Sequence, residues 1–167
     1  APMRAKRHLR PRPALHSTLA VAGLAMVRII PDPAEPLDEH GHDVLELAWV
    51  ERGTLAHALD GRPVPGGAGS LLVIPLGAVH RYDLVAGPVL LWNLLVDPER
   101  LAAPQLPRPL DRHLAALLPV PGGPGLVIEG VDLAGPCHGL WAEQSTHAAG
   151  WPQAMAAHLR LLLLAAA

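Results

Sequence analysis

Two histidines and a glutamate stand close together in EHGHDVLELAWVERG, residues 39 to 53. Side chains of a strand alternate between two faces, so His40, His42 and Glu46, all at even positions, are expected on one side. If that side faces a partly apolar interior, each unpaired polar group costs about 2 kcal/mol or more, so the three need partners or a ligand. Two imidazoles and a carboxylate form a facial ligand set for Fe(II), Mn(II), Ni(II) or Zn(II), with positions left open.

A fourth donor is expected from a neighbouring strand. His80 is the candidate, because it begins a strand directly after the turn-like segment IPLGAV. The hypothesis is therefore a divalent metal site built from His40, His42, Glu46 and His80, in which two separate segments of the chain meet.

Short strands are predicted to position these residues. Half of the 167 residues are apolar and 17% are charged, which excludes a disordered chain, and 19 prolines and 16 glycines favour turns over long helices. Residues 17 to 30 are expected to form one or two strands, and further strand-like segments follow up to residue 97. Asp60-Gly61 between two apolar runs is typical of a two-residue hairpin. The pattern predicts an all-β sandwich or barrel.

After Asp97-Pro98 the sequence favours helices. DRHLAALL (111–118) is a short candidate, and the segment after Pro152 consists of strong helix formers. It contains an apolar stripe at helical spacing, which we expect to pack in a dimer interface or against the barrel: Met155, Leu159, Leu162 and Leu163. This helix lacks the polar or glycine signals that usually close a helix, so we expect the natural protein to continue beyond it.

Charge and cysteine content exclude several classes. The net charge of −2 gives no strong field for nucleic acid, and a single cysteine, Cys137, allows no internal disulfide, which fits a cytoplasmic protein. No apolar run reaches the roughly 18 residues of a membrane span. The basic cluster within residues 1–16 is expected to be a flexible tail. Because STLAVAGLAMV follows it, a secretory signal is the alternative.

The spacing of the site residues resembles the first motif of the cupin family. That motif has a His-any-His pair, three or four residues, a Glu, six residues and a Gly, and His40, His42, Glu46 and Gly53 match it throughout. The resemblance implies a jelly-roll barrel, or double-stranded β-helix.

The second cupin motif is matched at Gly69, Pro75, Gly77 and His80, with Leu84 where the family has Asn. His40, His42, Glu46 and His80 are the positions that bind metal in metal-carrying cupins. Leu84 removes a polar residue of the motif and no ligand. Since many cupin-like domains keep such side chains as a hydrogen-bonded cluster without a metal, that alternative stays open.

A wider stretch, from His42 to Leu101, looks like the amino-terminal sensor domain of AraC-type transcription regulators. After the tail (1–16), the resemblance implies a cupin barrel (17–97) and a helical or loop extension (98–167) ahead of a separate DNA-binding part. The C-terminal helix of this extension would form a homodimer or act as a linker. The barrel would bind a small effector, with Trp49, Tyr82 and Trp92 as added ligand-binding groups, and this part would itself bind neither nucleic acid nor membrane. A stand-alone metal-dependent cupin enzyme, a dioxygenase or isomerase, is the alternative.

The other histidines show no ligand spacing among themselves and are expected on the surface or on helix faces: His57, His113, His138, His147 and His158. Trp49 differs in parity from the site residues, so it is expected to face away from them unless a bulge intervenes.

Overall fold

The structure is a computed structural model that describes residues 13–30, 37–41, 43–97, 99 and 125–166. The expected basic tail up to residue 12, His42, His113 and the candidate helix 111–118 lie outside the described residues. The chain begins with helix α1 (Pro13–Ala22) and ends with helices α2 (Ala134–Thr146) and α3 (Trp151–Ala165). Between them lie strands β1 (Leu24–Ile29), β2 (Leu37–Gly41), β3 (Leu45–Leu59), β4 (Arg62–Gly67), β5 (Leu71–Ile74), β6 (Val79–Val96) and β7 (Leu126–Ile128).

Two long strands, β3 and β6, organise the strands into two connected layers. All strand pairs are antiparallel, in the order β1-β6-β3-β5-β7, with β2 added to β6 and β4 added to β3. Residues 45–50 of β3 pair with 91–96 of β6 in the layer that contains β1, β5 and β7, which we call the helix-side layer. Residues 54–59 pair with 80–86 in the layer that contains β2 and β4, which we call the outer layer.

Irregular pairing bends β3 from one layer into the other. The register between β3 and β6 shifts three times between Val50 and Leu55. Gly53 lies inside this bend with φ +85°, and a Cβ at this position would come within 2.7 Å of the carbonyl oxygen of Pro88. A glycine is needed there for both backbone conformation and space.

The helix-side layer has two buried faces. Its even-numbered β3 residues Ala48 and Val50 face the space between the layers, where they pack with residues of the outer layer such as Leu55. Its other face, with Leu47 and Trp49, packs on the helices, in one apolar core with Met155, Leu159, Leu162 and Leu163 of α3. The predicted apolar stripe therefore packs against the barrel.

Several elements agree with the sequence prediction and three differ. The Asp60-Gly61 hairpin is confirmed, with φ of 47° and 75°, and so is the helix after Pro152. Residues 13–22 form a helix, so the prediction of strands from residue 17 is wrong for this stretch; the strand begins after Gly23. Helix α2 and the short strand β7 were not predicted. Because β7 pairs with β5, the sheet includes residues beyond the expected barrel range of 17–97.

In the part of the chain that the structure describes, no helix has the length and apolar character needed to cross a membrane.

Candidate functional site

A polar cluster lies between the two layers, where apolar side chains would be expected. We call it the interior cluster and define it by six residues drawn from β2, β3 and β6: His40, Glu46, His57, His80, Tyr82 and Asn93. Glu46, His57, His80, Tyr82 and Asn93 are each at most 5% exposed. Buried polar groups at this density need internal partners, so their hydrogen bonds define what the site can do.

Glu46 is the hydrogen-bond acceptor at the centre of the cluster. Its Oε1 accepts a hydrogen bond of 2.5 Å from the hydroxyl of Tyr82 and one of 2.6 Å from Nδ2 of Asn93. Burial raises the pKa of Tyr82 well above its ordinary value, and the negative charge and hydrogen bond of Glu46 raise it further. Tyr82 is therefore a permanent donor that holds the carboxylate in place.

The histidines connect the carboxylate to the outer layer. Nε2 of His80 lies 3.7 Å from Oε2 of Glu46, and Nδ1 of His80 lies 3.2 Å from Nε2 of His57. The His40 ring packs at a centroid distance of 4.3 Å from the His80 ring, which follows from the pairing of the two residues in β2 and β6. The chain of polar groups thus runs from Glu46 through His80 to His57.

His57 is held in its neutral form. Burial lowers its pKa to about 4, and the neighbouring His40 adds to this, although Glu46 and Asp83 act in the opposite direction. Its ring stacks on that of Tyr82 at 5.0 Å. Within the described part of the chain, Nδ1 of His57 and Oδ1 of Asn93 are buried without a hydrogen-bond partner. Such atoms are costly unless a ligand or water satisfies them.

Three of the four predicted metal-site residues come together, although they are not on one strand. His40 belongs to β2 and Glu46 to β3, and both meet the interior cluster around His80 of β6. The fourth, His42, lies outside the described residues. Tyr82, predicted as a ligand-binding group, is part of the cluster.

Trp49 and Trp92 lie on the opposite face of the helix-side layer. Nε1 of Trp49 donates to the carbonyl of Val131, and Nε1 of Trp92 donates to Glu51 at 2.5 Å. The structure therefore does not bring these two predicted ligand-binding residues to the interior cluster. It places them between the sheet and the helices, as the parity of Trp49 indicates.

Glu51 connects the Trp92 side chain of β6 to helix α2. His138 of α2 lies 3.0 Å from the Glu51 oxygen that Trp92 contacts. Partial burial acts to raise the pKa of Glu51, but the hydrogen bonds from His138 and Trp92 outweigh it, so that the pKa lies below its ordinary value. Glu51 therefore joins β3, β6 and the helix.

Two members of the cluster were missed by the sequence reasoning. His57, expected on the surface, is 2% exposed because the bend at Gly53 changes which β3 residues face inward. Asn93 stands alone among apolar residues in VLLWNLLV, and a single amide in a buried strand is a signal that would have found it.

The described donors do not by themselves fit a metal ion. In the described ranges, no three His, Cys, Asp or Glu side chains are arranged to hold one. Oε1 of Glu46 accepts from two neighbours, and Nδ1 of His80 is engaged by His57. A metal at this site would require His42 as well.

The sequence is similar to part of a curated protein. The chain is 39% identical over 71 residues to the HTH-type transcriptional activator RhaS of Klebsiella pneumoniae (strain 342), a match that covers 41% of this chain and 26% of the relative. The chain thus spans about a quarter of the length of this relative.

Solved cupin structures also show similarity. KdgF from Halomonas sp. is 19% identical, covering 46% of this chain and 71% of that chain at a TM-score of 0.43. An RmlC-like cupin from Shewanella frigidimarina is 20% identical, covering 46% and 68% at a TM-score of 0.42.

The family model for the AraC-like ligand-binding domain matches residues 25–163, which includes nearly all strands and both C-terminal helices. With the antiparallel sheet and the helices behind it, this match confirms the predicted fold class, an all-β cupin jelly-roll with C-terminal helices. The chain belongs to the family of AraC-like ligand-binding domains.

Proposed function

We propose that the chain is the effector-sensing domain of an AraC-type transcription regulator and that a small molecule binds at the interior cluster. The observation that carries this is the polar cluster itself: His57 and Asn93 bury unsatisfied atoms between the layers of a domain whose family binds ligands. A protein that only needed a stable core would place apolar groups there.

The signal would pass through the helix-side layer. In β6, Asn93 contacts Glu46 on the inner face, and the preceding residue Trp92 contacts Glu51 on the other. Glu51 in turn contacts His138 of α2. An effector with different affinities for two arrangements of these strands would bias the position of the helices, which is the requirement for ligand control.

The remaining parts of the proposal concern the whole protein. We infer a DNA-binding part outside this chain, because the curated relative is an activator of helix-turn-helix type. We further infer a homodimer through the C-terminal helix and a cytoplasmic location, where a transcription regulator acts. The domain itself is proposed to bind no nucleic acid and to catalyse no reaction.

A library of small metabolites tests the effector site. Thermal unfolding of the purified chain is expected to shift upward by several degrees with a compound that binds the folded state. The Glu46→Gln variant should lose that shift, whereas Glu143→Gln in α2 should keep it. Absence of any shift in the wild type, or equal shifts in wild type and Glu46→Gln, would refute effector binding at this cluster.

We infer that the cluster acts through hydrogen bonds and holds no resident metal, since Oε1 of Glu46 accepts from Tyr82 and Asn93 and Nδ1 of His80 contacts His57. The predicted zinc, nickel, iron or manganese would be held by His40, His42, Glu46 and His80 and would leave open positions for a ligand. Elemental analysis of protein purified without an affinity tag is expected to find well under 0.1 metal ion per chain, with unchanged thermal stability after a chelator. Stoichiometric metal that is lost in His80→Ala would contradict this and would favour a metal-dependent cupin.

A further inference from the structure

The atoms that donate and accept hydrogen bonds in the interior cluster can be assigned by starting at the Glu46 carboxylate. Nδ2 of Asn93 faces the carboxylate oxygen at 2.6 Å, and a carboxylate only accepts, so the amide orientation is fixed. The atom of Asn93 left without a partner among the described residues is therefore Oδ1, which is an acceptor.

The donor and acceptor roles of His80 and His57 can be assigned in the same way. Oε2 of Glu46 faces Nε2 of His80 at 3.7 Å, and a negative oxygen favours the His80 tautomer with its hydrogen on Nε2. Nδ1 of His80 is then a lone pair, so the 3.2 Å contact must be donated by Nε2 of His57.

Neutral His57 has one ring hydrogen. Because that hydrogen is used on Nε2, Nδ1 of His57 carries a lone pair. Like Oδ1 of Asn93, it is a buried acceptor without a partner among the described residues. His57 stacks on Tyr82, and Nδ2 of Asn93 lies 3.4 Å from the Tyr82 hydroxyl, so the two side chains that carry these acceptors both contact Tyr82.

We propose that the interior cluster selects a small, non-anionic molecule with two hydrogen-bond donors, one for Oδ1 of Asn93 and one for Nδ1 of His57. The inference rests on the proposed function and specifies its ligand class. Hydroxyl and amino groups supply such donors. A carboxylate or phosphate group supplies only acceptors and would meet the negative charge of Glu46, so anionic molecules are rejected. His57 and Asn93 are then the residues that determine specificity.

The test is a matched ligand panel. Three skeletons are each used as alcohol, amine and carboxylate: glycerol, serinol and glycerate; glucitol, glucamine and gluconate; glucose, glucosamine and glucuronate. Thermal shift and calorimetry with the full chain measure binding. We expect binding only by alcohols or amines, and no carboxylate should bind within tenfold of its matched partners.

A pair of variants tests His57. An asparagine at position 57 places its amide near the position of Nδ1 in the His57 ring. A glutamine there reaches the position of Nε2 and can still donate to His80. We expect His57→Gln to weaken the best ligand about tenfold, the loss of one hydrogen bond, and His57→Asn to stay within about threefold of wild type. His147→Gln, at the exposed end of α2, is the control. If His57→Gln fails to fold, the ligand panel with the wild-type chain still decides.

The outcomes separate this inference from the proposed function. Tightest binding by a carboxylate, or unchanged binding in His57→Gln, would overturn the ligand class and leave effector sensing intact. A panel without binders would also overturn the inference. Effector sensing itself falls only if the larger metabolite library gives no binder either.

Discussion

At the scale of single residues, Glu46 accepts hydrogen bonds from two donors of the interior cluster, Tyr82 and Asn93. Removing the Tyr82 hydroxyl leaves the buried carboxylate with one hydrogen bond fewer. A hydrogen bond to a charged group contributes about 1.5 to 3 kcal/mol, so Tyr82→Phe should lower the free energy of unfolding by about that amount. Urea denaturation at pH 7 measures the change.

The adjacent residue Asp83 provides the matched control. Its carboxylate pairs with Arg81 at 3.0 Å, but both side chains are about half exposed. Asp83→Asn is expected to change the free energy of unfolding by no more than about 0.5 kcal/mol. Equal effects of the two substitutions would show that Glu46 does not depend on the Tyr82 hydroxyl.

His57 makes stability depend on pH in a defined direction. Its pKa is about 4 in the folded protein and 6.5 in the unfolded chain, so between these values the unfolded state binds more protons. Stability should therefore fall as the pH drops from about 6.5 towards 4, by at most about 3 kcal/mol from this residue.

Urea titrations between pH 7 and pH 4.5 test this. His57→Gln lacks the titrating group and should lose that part of the slope, whereas His147→Gln should keep it. An unchanged slope in His57→Gln would place the acid sensitivity in other groups.

The sequence predicted those residues of the interior cluster whose positions are set by local geometry. The motif spacing identified His40, Glu46 and His80, because turns and strand lengths between them are set locally. His57 was missed because strand parity fails across the register shifts around Gly53, where the backbone of β3 passes close to Pro88. The orientation of Asn93 depends on its pairing opposite Ala48, a long-range contact that the sequence does not display.

At the scale of elements, helix α2 is held to the sheet and to α3 by specific close contacts. The side chain of Gln144 accepts from the Met26 amide and donates to its carbonyl, so α2 satisfies both backbone groups of a β1 residue. A Cβ on Gly139 would meet the His158 ring of α3 at 2.1 Å.

Gly139→Ala should therefore destabilise the protein by about 1 to 3 kcal/mol, because the His158 ring must leave its position. Gly135→Ala is the matched control in the same helix: nothing lies within 4 Å of its Cβ, and gaining an alanine should be neutral or stabilising by up to about 1 kcal/mol. Thermal unfolding compares them. If both glycine variants behave alike, or if adding His158→Ala to Gly139→Ala restores nothing, the contact does not limit helix packing.

The elements that the sequence predicted share strong local signals, and those it missed lack them. Asp60-Gly61 and the leucine-rich α3 follow from turn chemistry and helical spacing. Helix α2 buries only Cys137 and Leu140 among its core positions, and β7 has three residues, so neither shows a periodic pattern. For α1, the helix-stopping signal was Gly23, with φ 71° and its amide bonded to the Leu19 carbonyl.

At the scale of the whole molecule, one layer of sheet separates the polar interior from the helices. Glu46 and Asn93 face the outer layer, whereas Leu47 and Leu94 of the same strands pack in the core shared with α2 and α3. A shift of these strands would therefore change both the contacts of the interior cluster and the packing against α2 and α3. This arrangement suits the proposed transmission of a binding event to the C-terminal helices. In the proposed homodimer, the face of α3 that carries exposed leucines would be the contact surface.

That face is apolar. Leu161 and Leu164, three residues apart on α3, are 54% and 57% exposed, whereas Leu159, Leu162 and Leu163 are buried against the sheet. A two-fold dimer would bury each leucine in both copies, and each buried leucine contributes about 1.5 to 3 kcal/mol. The double variant Leu161→Glu with Leu164→Glu should therefore convert a dimer into a monomer without loss of fold, as measured by light scattering at micromolar concentration. Gln153→Glu, exposed on the same helix, should remain dimeric. A wild-type chain that is monomeric at all concentrations, or a dimer that survives the double variant, would locate the interface elsewhere.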